Sequence, residues 1–445
     1  MKMFGKKSNR LQRFPLLILY TILSPLYFGY FFIKPPIDPY SSAHTLYRGM
    51  KDIILLSLIV ILLLRYTLKG KLISNNSAPI IGFILYALIF SVITLISGEA
   101  DVIDSLTLQG FLLYPLTFHF FIGELQHAHL RIDTVISWII KVGIVVAVIG
   151  LIESLFLGVR QTYFAGYRAA STMFHPNIFG WMMGFCSVLA YIEFQLKRQR
   201  KAWIMVAILF LMAAVVSGSR SAVILPLSTM MVLLLVSCRR YAKKAILFLL
   251  LLVLISSTVL FLEREFPNIE KAVSRQSNFF LETGFEDLTV QKRVNHFRIS
   301  IAHLICPSSV LLGKYAYEKA QRDVVILVTD NFYLQLWANY GLFGLIIFVG
   351  AVGTVLLRVH RRLRGLPLPA HIYNYRLALL VANNFYFLSL GMFSKSIGNF
   401  PLGLFYWLIN AGLLTGLTPS RTQNGNTSEA DSQRIYGKLS TGLGV

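Results

Sequence analysis

Three arginines and one aspartate stand where charge costs free energy. Arg168 lies in "GYRAASTMFHPNIFGWM", just ahead of an apolar run, and Arg220 lies in "SGSRSAVI", a short turn between two apolar runs. Arg293 falls in a long polar stretch, and Asp330 sits against the start of another apolar run in "LVTDNFYLQLWANYGLFG". Guanidinium is a planar fork of donors that matches phosphate oxygens two at a time, so Arg168, Arg220 and Arg293 make a set suited to a diphosphate. Each arginine has a competing role, since its head can snorkel to lipid headgroups. A carboxylate such as Asp330 can take a hydroxyl proton as a general base. Asp330 is equally suited to cap the helix that follows, because Asp accepts from first-turn N–H groups. His175 and Asn331 are further candidates for substrate contact. For His175 a structural role competes, because Pro176 after it fits the first turn of a helix.

The elements that must carry these residues are membrane helices. Of 445 residues, 56% are hydrophobic and 14% charged, against roughly a quarter charged in soluble domains. Uncharged runs such as "DIILLSLIVILLL" recur, and a spanning helix needs about 20 mostly apolar residues. Apolar spans are expected at roughly 14–33, 48–68, 78–98, 106–122, 133–157, 174–194, 202–217, 221–237, 243–262, 331–357, 373–393 and 397–417. The expected fold is an all-α polytopic integral membrane protein of about twelve transmembrane helices, with one large extracytoplasmic loop between helices nine and ten. The chain divides into helices one to nine over 1–262, the loop over 263–329, helices ten to twelve over 330–417, and a polar tail over 418–445. The tail's Gly, Ser and Thr content predicts disorder.

Charge sets the orientation. The net charge is +22, which in a soluble chain would suggest nucleic acid. Here it gathers in the N-terminus, "RYTLKGK", "KRQRK", "CRRYAKK" and "RVHRRLRG", which all fall on one side if both termini are cytoplasmic. No nucleic-acid partner is expected. The alternate loops are poor in Lys and Arg, which makes Arg168, Arg220 and Arg293 outward-facing exceptions. Arg220 is the sharpest, since so short a turn holds its guanidinium at the interface or in a polar cavity, where ionisable groups are functional candidates. The first apolar run has no small-residue cleavage site after it and reads as a signal-anchor helix. Cys186, Cys238 and Cys306 form no disulfide or metal pattern. Within the loop, "VQKRVNHFRISIAHLI" spaces Val294, Phe297, Ile301 and Leu304 on one helical face, with Arg293 and Arg298 off it, as expected of an amphipathic helix at the outer surface. Gly180 and Gly184 form a small-xxx-small pair suited to close helix packing. No P-loop, GxSxG, HExxH or paired-Cys motif is present, so nucleotide-driven chemistry is not indicated.

The order of these pieces resembles a known family. An Arg-x-x-Ser-Thr…Asn-x-x-Gly stretch from Arg168 to Gly180 precedes Ser-Arg-Ser at 219–221. The loop with Arg293, Phe297 and "CPSSVLLGK" follows, and Asn-Phe-Tyr-Leu…Tyr-Gly-Leu-Phe-Gly closes the set at 331–344. Over roughly 140–415 this resembles the bacterial O-antigen ligase and polysaccharide polymerase superfamily. The resemblance implies a membrane-embedded glycosyltransferase with a glycan donor on undecaprenyl diphosphate, a glycan acceptor, and the outer face of the bacterial cytoplasmic (inner) membrane as its workplace. It also implies a chain-length regulator and a flippase as partners. It implies no cofactor and no metal, with Arg168, Arg220 and Arg293 on the diphosphate and Asp330 as catalytic base. Ligases of the superfamily carry His where this chain has Asp330, which favours a polymerase over an O-antigen ligase acting on lipid A–core. A polysaccharide flippase is the competing class by helix number, but no internal repeat accompanies the single large loop.

Overall fold

The computed structural model describes residues 15–26, 42–68, 75–96, 109–155, 168–173, 175–196, 201–237, 331–392 and 398–415, with Ser394 and scattered positions between 291 and 305. Among the described residues the chain is helical and has no strand. The helices are α1 (Leu16–Leu23), α2 (Ser42–Thr67), α3 (Ala78–Ile96), α4 (Gln109–Ala128), α5 (Ile132–Leu155), α6 (Pro176–Leu196), α7 (Lys201–Val216), α8 (Arg220–Ser237), α9 (Phe332–Gly365), α10 (Ala370–Gly391) and α11 (Leu402–Thr415). Each falls on one of the apolar runs, because backbone in hydrocarbon must satisfy its own hydrogen bonds. α5, α6 and α9 are long and apolar enough to cross a membrane, and α1, α3, α7, α8 and α11 are shorter apolar helices. The run at 243–262, most of the 263–329 loop and the tail at 418–445 lie outside the described residues.

The polarity of the bundle is that of a membrane-integral protein. Ile61, Leu64, Leu85, Ile89, Ile93, Phe343 and Ile346 are exposed, while Glu124, Glu153, Arg168, Glu193, Asn383 and Asn410 are buried. Lipid tails are as apolar as these outer side chains, so helix association relies on close packing and on polar bonds inside. α11 is buried along its whole length. It packs against α4, α9 and α10, while α6 packs on α7, α8 and α10. Asn384 of α10 donates to Asn410 Oδ1 of α11 at 3.1 Å, a polar tie across that central seam.

Two helices depart from the spans expected. The first was expected as one run over 14–33. α1 instead closes at Leu23 and passes into a 3-10 turn at Ser24–Leu26, where Pro25 has no N–H to continue the ladder. The tenth was expected as an unbroken run over 331–357. α9 is broken at Gly341, whose φ of 71° and ψ of 176° lie outside the helical region. Glycine adopts that φ without a Cβ penalty. The break is bridged by a side chain, since Tyr86 Oη donates to Tyr340 O at 2.9 Å.

At the far end of α9, Arg362 Nη1 donates to Leu414 O at 3.2 Å and Arg362 Nη2 to Asn76 Oδ1 at 2.9 Å. Part of the basic "RVHRRLRG" segment therefore ties the end of α11 to the segment before α3. Ile301 packs against the small cluster of Leu334 and Ala338 on α9, while Val294 and Phe297 are exposed.

Candidate functional site

The site grows from the turn between α7 and α8. α7 ends at Val216 and α8 begins at Arg220, so three residues reverse the chain. Gly218 takes φ 63°, which only glycine adopts freely. Ser217 Oγ donates to Ala214 O at 2.6 Å and accepts from Ser219 N–H at 3.2 Å, closing the turn on itself. Ser221 Oγ accepts from Trp181 Nε1 of α6 at 2.8 Å and lies 3.3 Å from Ser219 Oγ. The Ser-Arg-Ser sequence therefore works as a unit. Its serines fix the turn and its arginine opens α8, half-buried at the bundle end.

Arg168 comes to this turn from the segment before α6. It is buried, and its Nε donates to Ser217 O at 2.8 Å while Nη2 donates to Asn177 Oδ1. Its stem lies against Gly218, where an added Cβ would stand 3.1 Å from Nε and 3.2 Å from Cγ. Ala169 N–H donates to Val216 O at 3.1 Å and secures the same approach. Asn177 N–H in turn donates to His175 Nδ1 at 3.1 Å, and Phe179 N–H donates to His175 O at 3.1 Å. His175 is thus the cap of α6, Pro176 its first helical residue, and Nε2 carries the proton in the neutral ring. Arg168 and His175 are linked through Asn177, and the Arg168 bond to Ser217 O brings both to the turn that ends at Arg220.

Close packing makes the convergence possible. An added Cβ at Gly180 would stand 2.2 Å from Ser217 Oγ and 2.8 Å from Ala222 Cβ. One at Gly184 would stand 2.7 Å from Ala222 O. The small-xxx-small pair is therefore the face on which α6 meets α8, as its spacing predicts.

Asn331 opens α9. Its Oδ1 accepts from Tyr333 N–H at 3.0 Å and Leu334 N–H at 3.1 Å, and its Nδ2 donates to Met392 O at 3.0 Å. The cap of α9 is therefore Asn331. That corrects the capping alternative for Asp330, because amide and carboxylate caps fill the same position and Asn331 fills it here. Tyr333 Oη donates to Leu388 O at 2.8 Å, and Gly391 leaves room for its ring. Six residues before Met392, Tyr386 Oη of α10 donates to Trp181 O at 2.7 Å. Six residues of helix rise about 9 Å, so the α9 cap and the arginine turn flank the same end of α10. Arg293 and Asp330 themselves lie outside the described residues.

Sequence reading missed Glu153 and underused Asn177. Glu153 is buried at the end of α5, and its Oε2 accepts from Ser171 N–H at 2.6 Å and Ala170 N–H at 3.2 Å. A lone carboxylate inside "VIGLIESLFLG" was the available signal. Among the described residues no group of three or more His, Cys, Asp and Glu side chains is placed to hold a metal ion.

A comparison with known families bears on the class. Residues 204–349 match the O-antigen ligase family. The matched region runs from α7 through the Gly341 break of α9 and holds Arg220, Arg293, Asp330 and Asn331. Over these residues the chain is similar to the O-antigen ligase family, in line with the resemblance its motif order carries. The superfamily match covers about a third of the chain, and Arg168 and His175 lie before it. No curated protein matches the chain.

Proposed function

We propose that the chain is a membrane glycosyltransferase that polymerises undecaprenyl-diphosphate-linked oligosaccharide repeat units at the outer face of the bacterial cytoplasmic membrane. The observation that carries this reading is the convergence of Arg168 and Arg220 on one turn, inside or beside a region of the superfamily. Arg220 and, from the loop, Arg293 bind the donor diphosphate, and Arg168 completes the cationic site while bracing the turn. An acceptor hydroxyl attacks the anomeric carbon of the donor sugar, and Asp330 takes its proton. The bond from that carbon to the diphosphate oxygen breaks, and the lipid diphosphate leaves with the electron pair, its added charge met by the guanidiniums. No metal is required for that balance. Asn331 holds the start of α9 beside Asp330, and His175 holds the start of α6. Both termini are cytoplasmic, which puts the arginine end of the bundle opposite the Lys- and Arg-rich segments. A chain-length regulator and a flippase are the partners such a polymerase would work with.

The family name favours a second reading, an O-antigen ligase that passes the glycan to lipid A–core. Asp330 in place of His is why the polymerase ranks first. Glycan profiling in a deletion strain separates them. Single repeat units remaining outside the cell indicate the polymerase, long chains stranded on carrier lipid the ligase, and single units trapped inside a flippase. Complementing that strain with Arg220→Lys tests the diphosphate site, since Lys keeps charge and loses the fork. Elongation should fall at least about tenfold with normal membrane expression, the cost of one charge-assisted bond. Wild-type chain lengths from Arg220→Lys leave only a generic charge role, and from Arg220→Ala no role.

A further inference from the structure

We propose that Glu153 is a positioning residue for the arginine turn, an assignment that rests on the diphosphate reading above. Glu153 lies in the last turn of α5, 3% exposed. Its Oε2 gathers two successive backbone donors, Ala170 N–H at 3.2 Å and Ser171 N–H at 2.6 Å. Ser171 takes φ 54°, a left-handed conformation that a residue with a Cβ adopts at a cost. Adjacent amides turned toward one point form a concave anion seat, and here the anion is the protein's own carboxylate.

The rest of the segment is pinned around that seat. Ser171 Oγ donates to Val146 O at 2.7 Å, and Thr172 Oγ1 donates to Pro25 O of the 3-10 turn after α1. On the other side Ala169 N–H reaches Val216 O and Arg168 Nε reaches Ser217 O. The path from carboxylate to arginine is therefore short. Glu153 fixes Ala170 and Ser171, these fix Ala169 and Arg168, and Arg168 grips the turn that opens with Ser217 and ends at Arg220. A neutral acceptor would hold the same amides more weakly, since bonds to an ionised acceptor are about twice as strong. With Oε2 committed to two amides, Glu153 acts through Arg168 and the turn.

The test uses full-length protein in nanodiscs, with Glu153→Gln and Glu153→Ala compared by three readouts. Amide exchange of the 168–173 segment should quicken in Glu153→Ala and less in Glu153→Gln, whose side-chain carbonyl still accepts. The KM for lipid-linked donor should rise about tenfold in Glu153→Ala with kcat little changed, the effect of one lost charge-assisted bond felt at the site. Inhibition by inorganic pyrophosphate should weaken in parallel, and Glu153→Gln should fall between wild type and Glu153→Ala. Wild-type exchange and KM in Glu153→Ala overturn the proposal. A collapse of kcat with unchanged KM and exchange also overturns it, because Glu153 would then act in the chemistry. If Glu153→Ala does not fold, Glu153→Gln alone decides, and wild-type exchange with wild-type KM in it sinks the assignment. Pyrophosphate inhibition that is unmoved in Arg220→Ala would refute the diphosphate reading, while exchange of 168–173 still judges the hold of Glu153.

Discussion

Replacing Gly180 with alanine should damage the site without touching a charged residue. An added Cβ there would stand 2.2 Å from Ser217 Oγ, 2.9 Å from Ser217 Cβ and 2.8 Å from Ala222 Cβ. Rotating Ser217 relieves the first contact only, and it breaks the bonds to Ala214 O and from Ser219 N–H that close the turn. The contact with Ala222 Cβ has no rotamer to relieve it. Apolar carbons rest about 3.5–4.0 Å apart, so α6 and α8 must separate by about 0.7 Å or more. Overpacking of this kind costs about 1–3 kcal/mol, and the lost hydroxyl bonds about 1 kcal/mol each, against a gain of about 1 kcal/mol from helix propensity. The expected net loss of stability is about 2–4 kcal/mol. A shift approaching 1 Å at the turn that carries Arg220 should lower turnover by about 10–100-fold. Thermal unfolding and donor turnover of the purified variant measure both. Gly350→Ala and Gly353→Ala are the controls, since a Cβ at either meets nothing within 4 Å. Both should keep activity and hold or gain stability. Adding Ala222→Gly to Gly180→Ala removes one of the two contacts that cannot rotate away and should recover part of both losses. Wild-type stability and turnover in Gly180→Ala would refute the close approach of α6 to the turn, as would an equal loss in the two controls.

Asn331→Ala removes the cap of α9 and should cost about 1 kcal/mol in thermal stability; no loss means the cap bonds contribute nothing. Asp330→Asn should leave stability within about 0.5 kcal/mol and lower glycan elongation by about 100-fold or more, with partial rescue by Asp330→His. Elongation at the wild-type rate in Asp330→Asn removes the general base. On the proposed reading, in which arginines stand in for the cation that carboxylate clusters would hold, glycan transfer by purified protein should continue in excess chelator. Turnover that stops on chelation and returns with Mg²⁺ would show the arginine-for-metal account to be wrong.

The sequence by itself determined the class of fold and singled out the groups proposed for the chemistry. Apolar runs long enough to cross a bilayer leave the backbone no alternative to helices, so the helices fall where hydropathy sets them. The position of Arg220 in a tight turn follows from the same pattern, because two apolar runs separated by "SGSRS" permit little else. Gly180 and Gly184 were legible as a packing face because lipid gives helices no other way to approach closely. Four things were decided only in three dimensions. Which helix meets the Gly180 face depends on side-chain fit, and fit chose α8 with Ala222. The grip of Arg168 on Ser217 O spans forty-nine residues, and local sequence carries no information about such a bond. Asn331 rather than Asp330 caps α9, because either residue type satisfies first-turn amides and only the carbonyl of Met392, brought by α10, gives the amide donor its partner. Glu153 looked like one polar residue in an apolar run until the fold brought two backbone N–H groups to its carboxylate.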